Sequence, residues 1–365
     1  MHHSHRSSVQ IRRWLEQVLA DEGGRRPPGS AWLLGLLPWA ILGVVISASC
    51  HLNRIVAAVP GLGPPKSALQ RLRRWLMRAS FRTVELLPAV ARPLLSRYRQ
   101  EPLLLLVDRT EWKHANLLFA AVPFRGRAVP VALMLLDGPK ATNDRELRQL
   151  LEQAAAAMPS EAQVVVVGDR EFGNVPAMRA IASLGWQFCL RFKQDTWLLD
   201  AQGHDWQARD RFPQRGGRRC WTELRVTLQR YGPLQVTVFW RGDEPEPWIL
   251  VSDRAAQELP RLYRSRMRIE EMFSDLKKRG FDLEASRLRE GARILRLVGL
   301  LCLAYVWLLL AAAVAIRRGW RRLTDVARSR ALSYLQIGLR LLRFHPEEVA
   351  ASLARAVTRM YHQRK

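Results

Sequence analysis

The chain has 365 residues, 48% of them hydrophobic, and carries 58 Lys+Arg against 33 Asp+Glu, a net charge of +25. That apolar content excludes a disordered polycation and is enough for two or three structural units, while the charge favours a polyanionic partner, either nucleic acid or an anionic membrane surface. Four scattered cysteines (Cys50, Cys189, Cys220, Cys302) without a CxxC pair argue against a disulfide framework and structural zinc, and suit a reducing cytosol.

Residues 1–98 read as helical. VQIRRWLEQVLA has the spacing of an amphipathic helix, and His2, His3 and His5 before it receive no role. Residues 1–26 carry charges throughout and lack the apolar core of a secretory signal. Residues 31–50 then run twenty positions without a charge, about the length that spans a bilayer, although Gly35, Pro38 and Gly43 interrupt them. After the turn at Pro60, Pro64 and Pro65 comes SALQRLRRWLMRAS, with Ser67 as the expected N-cap. Leu69, Leu72, Trp75 and Leu76 give this helix a core face, and Arg71, Arg73, Arg74 and Arg78 crowd the rest. Arg73 and Arg74 are candidate DNA contacts, against the blander reading of a basic surface.

Over residues 99–193 the texture changes to strands. LLLLVDRT, LLFAAVPF and AVPVALMLLDG precede a helix at RELRQLLEQAAAAM; the strand QVVVVGDREF, a helix over 174–184 and the strand WQFCLRFK follow. The order is β, β, β, α, β, α, β. Continuous Val and Leu runs predict strands covered on both faces, an α/β fold with a mixed sheet between helices. Asp108 and Asp169 are expected at the carboxyl ends of two such strands, where open α/β sheets carry their chemistry.

Residues 194–255, rich in Trp, punctuated by Gly and alternating in polarity, predict an inserted antiparallel β subdomain. Residues 256–316 return to the core with a helix through YRSRMRIEEMFSDLK (263–277) and an uncharged run at 297–316. That run is a second candidate membrane span, bounded by Arg296, Arg317 and Arg318; a helix apolar all round also fits the centre of a large domain. Residues 317–365 form a basic helical region with Arg321, Arg322, Arg328, Arg330, Arg340 and Arg343.

At about 100° per residue, an α-helix brings Arg266, Glu270 and Lys277 within roughly 60° of Tyr263, one carboxylate among cations. Leu262, Ile269, Phe273 and Leu276 form the adjoining apolar strip, and Glu271 and Asp275 project elsewhere. Solvated helical ion pairs are the ordinary alternative.

Carboxylates are scarce in so basic a chain. Asp108, Asp169 and Glu270, from three separate elements, offer the hard oxygen ligands that suit Mg²⁺ or Mn²⁺. Two such ions about 3.5 to 4 Å apart activate an attacking oxygen and stabilise a leaving one in phosphodiester displacement. Singly, each aspartate is as well explained as a turn former, and Glu111 and Glu171 nearby as salt-bridge partners or substitutes.

Together with VDRT and GDREF, the complete Y-x2-R-x3-E-x6-K pattern of Tyr263, Arg266, Glu270 and Lys277 resembles bacterial DDE transposases of the insertion-sequence family named for that YREK signature. IVAAVPGLGPPKSALQRLRRWL resembles the family's amino-terminal helical region, and LRLVGLLCLAYVWLLL its buried helix after the catalytic glutamate. The resemblance implies an RNase H-like core with a β insertion between the second Asp and the Glu. It implies Asp108, Asp169 and Glu270 as the triad holding two Mg²⁺ or Mn²⁺ ions, and Tyr263, Arg266 and Lys277 as phosphate contacts. Trp248, or Trp240, would stack on a flipped base, against the reading of an inward strand residue; such stacking supplies about 1 to 3 kcal/mol.

The expected function is cut-and-paste transposition: a homodimer brings together two inverted-repeat ends of double-stranded DNA, cuts through a hairpin and joins the 3′ ends to target DNA. The expected setting is a bacterial cytoplasm, associated with the nucleoid, without a membrane partner. Two rivals are a catalytically silent DNA-binding regulator and a protein with two membrane spans.

Overall fold

The computed structural model describes residues 2–20, 30–59, 63–77, 83–95, 102–112, 115–138 and 141–344, with 352, 355 and 356 beyond them. The amino-terminal helices are α1 (His2–Ala20), α2 (Ser30–Ser47), α3 (Leu52–Ala58), α4 (Pro65–Met77) and α5 (Leu87–Leu95). The uncharged run over 31–50 becomes α2 and turns into α3 with a bend of 96°, so it does not continue as one straight rod. In α4 the expected faces separate: Ala68, Leu72, Trp75 and Leu76 are buried, and Arg71, Arg73 and Arg74 are exposed. The helix starts at Pro65, which suits a first helical position, so Ser67 lies within the first turn rather than capping it. Arg78 and most of the tail beyond residue 344 lie outside the described residues.

Ten strands follow: β1 (Leu103–Trp112), β2 (Ala115–Phe124), β3 (Arg127–Leu136), β4 (Val164–Gly168), β5 (Gln187–Phe192), β6 (Trp197–Leu199), β7 (Asp205–Gln207), β8 (Arg218–Val226), β9 (Tyr231–Phe239) and β10 (Trp248–Ser252). Helices α6 (Asp144–Ala155) and α7 (Val175–Ala182) connect β3 to β4 and β4 to β5, which is the order the apolar runs predict. Asn143 and Glu146 start α6 with a reciprocal capping box. All ten strands lie in one sheet, in the order β3-β2-β1-β4-β5-β10-β9-β8-β6-β7. Parallel pairing is confined to β1 with β4 and β4 with β5.

The segment expected as a separate inserted subdomain extends this sheet. β10 pairs antiparallel with β5, from Ile249 opposite Phe192 to Ser252 opposite Cys189, and β9 and β8 add beyond it. Every residue of β10 is buried, as fits a strand interior to the sheet with both faces covered.

The glutamate segment is divided into α8 (Leu259–Arg264), α9 (Met267–Ser274) and a π turn over Asp275–Arg279. Helix α10 (Gly291–Arg317) and α11 (Tyr334–Phe344) complete the described elements. The run over 297–316 forms the heart of α10, where Leu297, Leu301, Tyr305, Leu308 and Ala315 have no exposure. Its surface is covered by β3, α2 and α11, so what reads as a span in isolation is an interior helix here. The approach of α11 is close enough that a Cβ on Gly338 would meet the Leu308 carbonyl oxygen at 2.5 Å.

Candidate active site

The parallel pairing of β1 and β4 ends at Val107 opposite Gly168, so the next residues on the two strands are Asp108 and Asp169. Sheet register alone sets these aspartates side by side. Asp108 does not terminate its strand as expected: β1 runs on to Trp112, because its other edge stays paired with β2 as far as Ala115. Asp169 opens the turn after β4, its Oδ1 accepting the Glu171 N–H at 2.9 Å. It is therefore a turn former and a strand-end acid at once.

Glu270 comes from the other side, on α9. Ile269, Phe273 and Leu276 are buried with Leu262, as the apolar strip predicts, and Phe273 meets Phe119 of β2 edge-on at 5.2 Å. That packing turns the opposite side of α9 toward the aspartates. Between them stands Arg266, in the short link from α8 to α9: one guanidinium nitrogen, Nη1, donates to Asp108 Oδ2 at 2.8 Å, and Nη2 donates to Glu270 Oε1. Asp108 Oδ1 accepts the Arg109 N–H at 2.8 Å.

Burial raises the Asp108 carboxyl from its ordinary 3.8 to about 7; Arg266 opposes the rise, and Asp169 and Glu270 add to it. The rise despite an ion pair is physically reasonable, because the guanidinium is shared while the side chain is shut from water and faces two further acids. For Arg266, burial works against the charge, but Tyr263, Asp108, Glu270 and Asp169 hold its pKa up. Three acids from three elements thus lie within electrostatic reach around one guanidinium.

A proton retained by folded Asp108 up to pH 7, and released by the unfolded chain near 4, makes stability fall as pH rises between those values. Asp108→Asn removes the penalty. Above pH 7 the metal-free variant is expected to exceed the wild type in stability by on the order of 4 kcal/mol, and near pH 4 to match it. Urea unfolding at the two pH values measures this, and equal stability at high pH would contradict it.

The other signature residues do not share a single helical face. Tyr263 is buried, its ring 5.0 Å from that of Trp248 and its hydroxyl beside Arg266 and Arg191. Lys277 sits in the π turn and donates from Nζ to the Glu111 carbonyl at 2.7 Å; burial lowers its pKa. The turn opens at Asp275, which is buried and bonded to Arg127 of β3 at 2.6 Å. Glu271, on the same side, reaches Arg127 and Arg279.

Trp248 is an inward strand residue, 3% exposed and packed between Phe239 and Tyr263, so it offers no face to a nucleobase in this form. Trp240 instead donates from its indole nitrogen to the Glu244 carbonyl. Glu171 binds Arg109 and the Thr142 N–H, the structural role expected of it. Arg73 lines, with Arg287, Arg293, His51 and Asn53, a groove of about 290 Å³ whose lining includes none of the three acids. Arg191 was not anticipated. It is a half-buried cation on β5 whose guanidinium shares Glu246 with Arg170, and its only sequence signal is a charge within the apolar run QFCLRF.

The donor set suits a hard divalent cation, since three carboxylates from separate elements bear on one another's charge. Among the described residues no three acids are grouped closely enough to enclose a metal position, and the Arg266 guanidinium bridges Asp108 and Glu270. A family model described as a transposase DDE domain matches residues 99–307, more than half of the chain, from just before β1 into α10. No curated protein matches the chain.

Proposed function

The chain belongs to the transposase DDE domain family, and on that premise we propose that Asp108, Asp169 and Glu270 are its catalytic acids, acting in cleavage and transfer of strands at the inverted-repeat ends of a mobile DNA. The observation that carries the assignment is the Arg266 guanidinium bonded to both Asp108 and Glu270, with Asp169 acting on it electrostatically. They would hold Mg²⁺ or Mn²⁺, two ions in the active complex, which when bound supply Lewis-acid activation of phosphodiester and hydroxyl oxygens. What supports the reading is the framework: Asp108 lies within β1, Asp169 directly follows β4, and Glu270 is carried by a helix anchored through Ile269 and Phe273.

Arg266 and Lys277 are the phosphate contacts of this reading, with Tyr263 bracing Arg266 from beneath. Exposed Arg73 and Arg74 extend the basic surface along α4. The finer steps follow the sequence resemblance: synapsis by a homodimer, excision through a hairpin, and joining to a target duplex in the bacterial cytoplasm. A base stacked on Trp248 would require that ring to leave its place between Phe239 and Tyr263.

Mg²⁺-dependent nicking of duplexes carrying the inverted repeats that flank the gene tests the function directly. Binding without metal-dependent cutting would leave the silent regulator instead. Lys277→Ala is expected to weaken end binding and to flatten its salt dependence by about one counterion in the slope of log K against log salt. An unchanged slope would remove Lys277 from the contacts.

A further inference from the structure

We infer that Arg266 is an internal counter-cation that keeps divalent ions off the acids until a DNA phosphate draws its guanidinium away. This rests on the reading of Asp108 and Glu270 as metal ligands. It adds a coupling that the assignment of the acids does not contain: in the free protein, the arginine and the metal are alternatives.

Both Asp108 oxygens are already engaged, Oδ1 by the Arg109 N–H and Oδ2 by Arg266 Nη1, each at 2.8 Å. The same guanidinium binds Glu270 through Nη2, so one cation spans two of the three acids. A divalent ion binds carboxylate oxygens at about 2.0 to 2.1 Å and would draw both carboxylates onto itself. A guanidinium hydrogen-bonded to those carboxylates is repelled by the arriving ion and competes with it for the same lone pairs.

The arginine is also incompletely satisfied. Its side chain is 13% exposed, and Nε is buried without a hydrogen-bond partner among the described residues. A phosphate offers several acceptor oxygens and is bound bidentately by an arginine fork, so it can engage Nε together with an Nη. Exchange of carboxylate for phosphate supplies the missing partner and frees Asp108 and Glu270 together. Linkage then requires DNA and metal to raise each other's affinity by the same factor. Metal would load where DNA is already seated, which restrains cutting by the unengaged protein.

The test is Mn²⁺ binding to the full-length protein, followed by the loss of the free-ion paramagnetic resonance signal, without DNA and with a short duplex. Without DNA, Arg266→Ala and Arg266→Gln are each expected to bind Mn²⁺ at least about tenfold more tightly than wild type, within the range of ordinary coupling. The duplex should tighten Mn²⁺ binding to wild type and leave both variants nearly unchanged. Arg191→Gln, which removes a neighbouring charge that does not touch Asp108, should behave as wild type; a gain equal to that of the Arg266 variants would reduce the effect to net charge and overturn the inference. Mn²⁺ affinity in both Arg266 variants no greater than wild type would also overturn it, even if Asp108→Asn weakens binding and so upholds the acids as ligands. If Asp108→Asn alters Mn²⁺ binding in neither background, the assignment of the acids falls, and this inference falls with it. The glutamine variant, which keeps a polar side chain and part of the arginine stem, keeps the comparison open if the alanine variant does not fold.

Discussion

Glu270→Gln is expected to reduce Mg²⁺-dependent nicking by roughly a thousandfold or more while leaving binding to end DNA nearly intact. The side chain is 40% exposed and rests on a helix whose anchors, Ile269, Met272 and Phe273, are untouched, so little packing is lost. Glutamine keeps the shape and can still accept a bond from Arg266, but it offers a neutral oxygen where a hard cation needs an anionic one. Removing a negative charge beside phosphate-binding cations should, if anything, strengthen DNA binding. A gel-based nicking assay beside a mobility-shift titration separates the two effects, and undiminished cleavage would take Glu270 out of the mechanism.

The two aspartates and the glutamate could be picked out of the sequence for different physical reasons. VDRT and GDREF each join an unbroken apolar run to an acid, and such runs form adjacent interior strands, whose pairing here ends at Val107 opposite Gly168, one residue before each acid. The apolar strip of Leu262, Ile269, Phe273 and Leu276 likewise identified the buried side of the glutamate helix.

What the helical wheel missed was non-local. It treats 263–277 as one ideal α-helix, whereas the chain is interrupted at Ser265 and Arg266 and opens into a π turn at Asp275. At the second departure Asp275 is tied to Arg127, 148 positions away in sequence. The joining of the insertion to the sheet was hidden for the same reason, since β10 alternates no differently when its partner is β5 than when it belongs to a separate subdomain. Arg191 was hidden because a charge in a strand reads as an edge position until its ion pair with Glu246 is seen.

The tie between Arg127 and Asp275 also carries the largest stability effect expected outside the core. Asp275 is 1% exposed; burial raises its pKa, and the Arg127 guanidinium at 2.6 Å is the chief opposing influence. Arg127→Met fills similar space but leaves that carboxylate uncompensated, which costs about 3 to 5 kcal/mol in buried pairs of this kind. Replacing both partners, Arg127→Met with Asp275→Leu, removes the buried charge altogether and is expected to recover most of the loss. Urea unfolding of the single and double variants measures both effects; a loss under about 1 kcal/mol in the single variant would mean that water reaches Asp275 and that the pair is not buried in solution. The double variant should still bind end DNA more weakly than wild type. Without the pull on Asp275 the π turn is free to close into an ordinary helical turn, and Lys277 then loses its reach to the Glu111 carbonyl and its station beside β1. Stability regained without DNA affinity regained would identify Arg127 as a positioning residue for Lys277. Recovery of both would leave the ion pair a purely structural one.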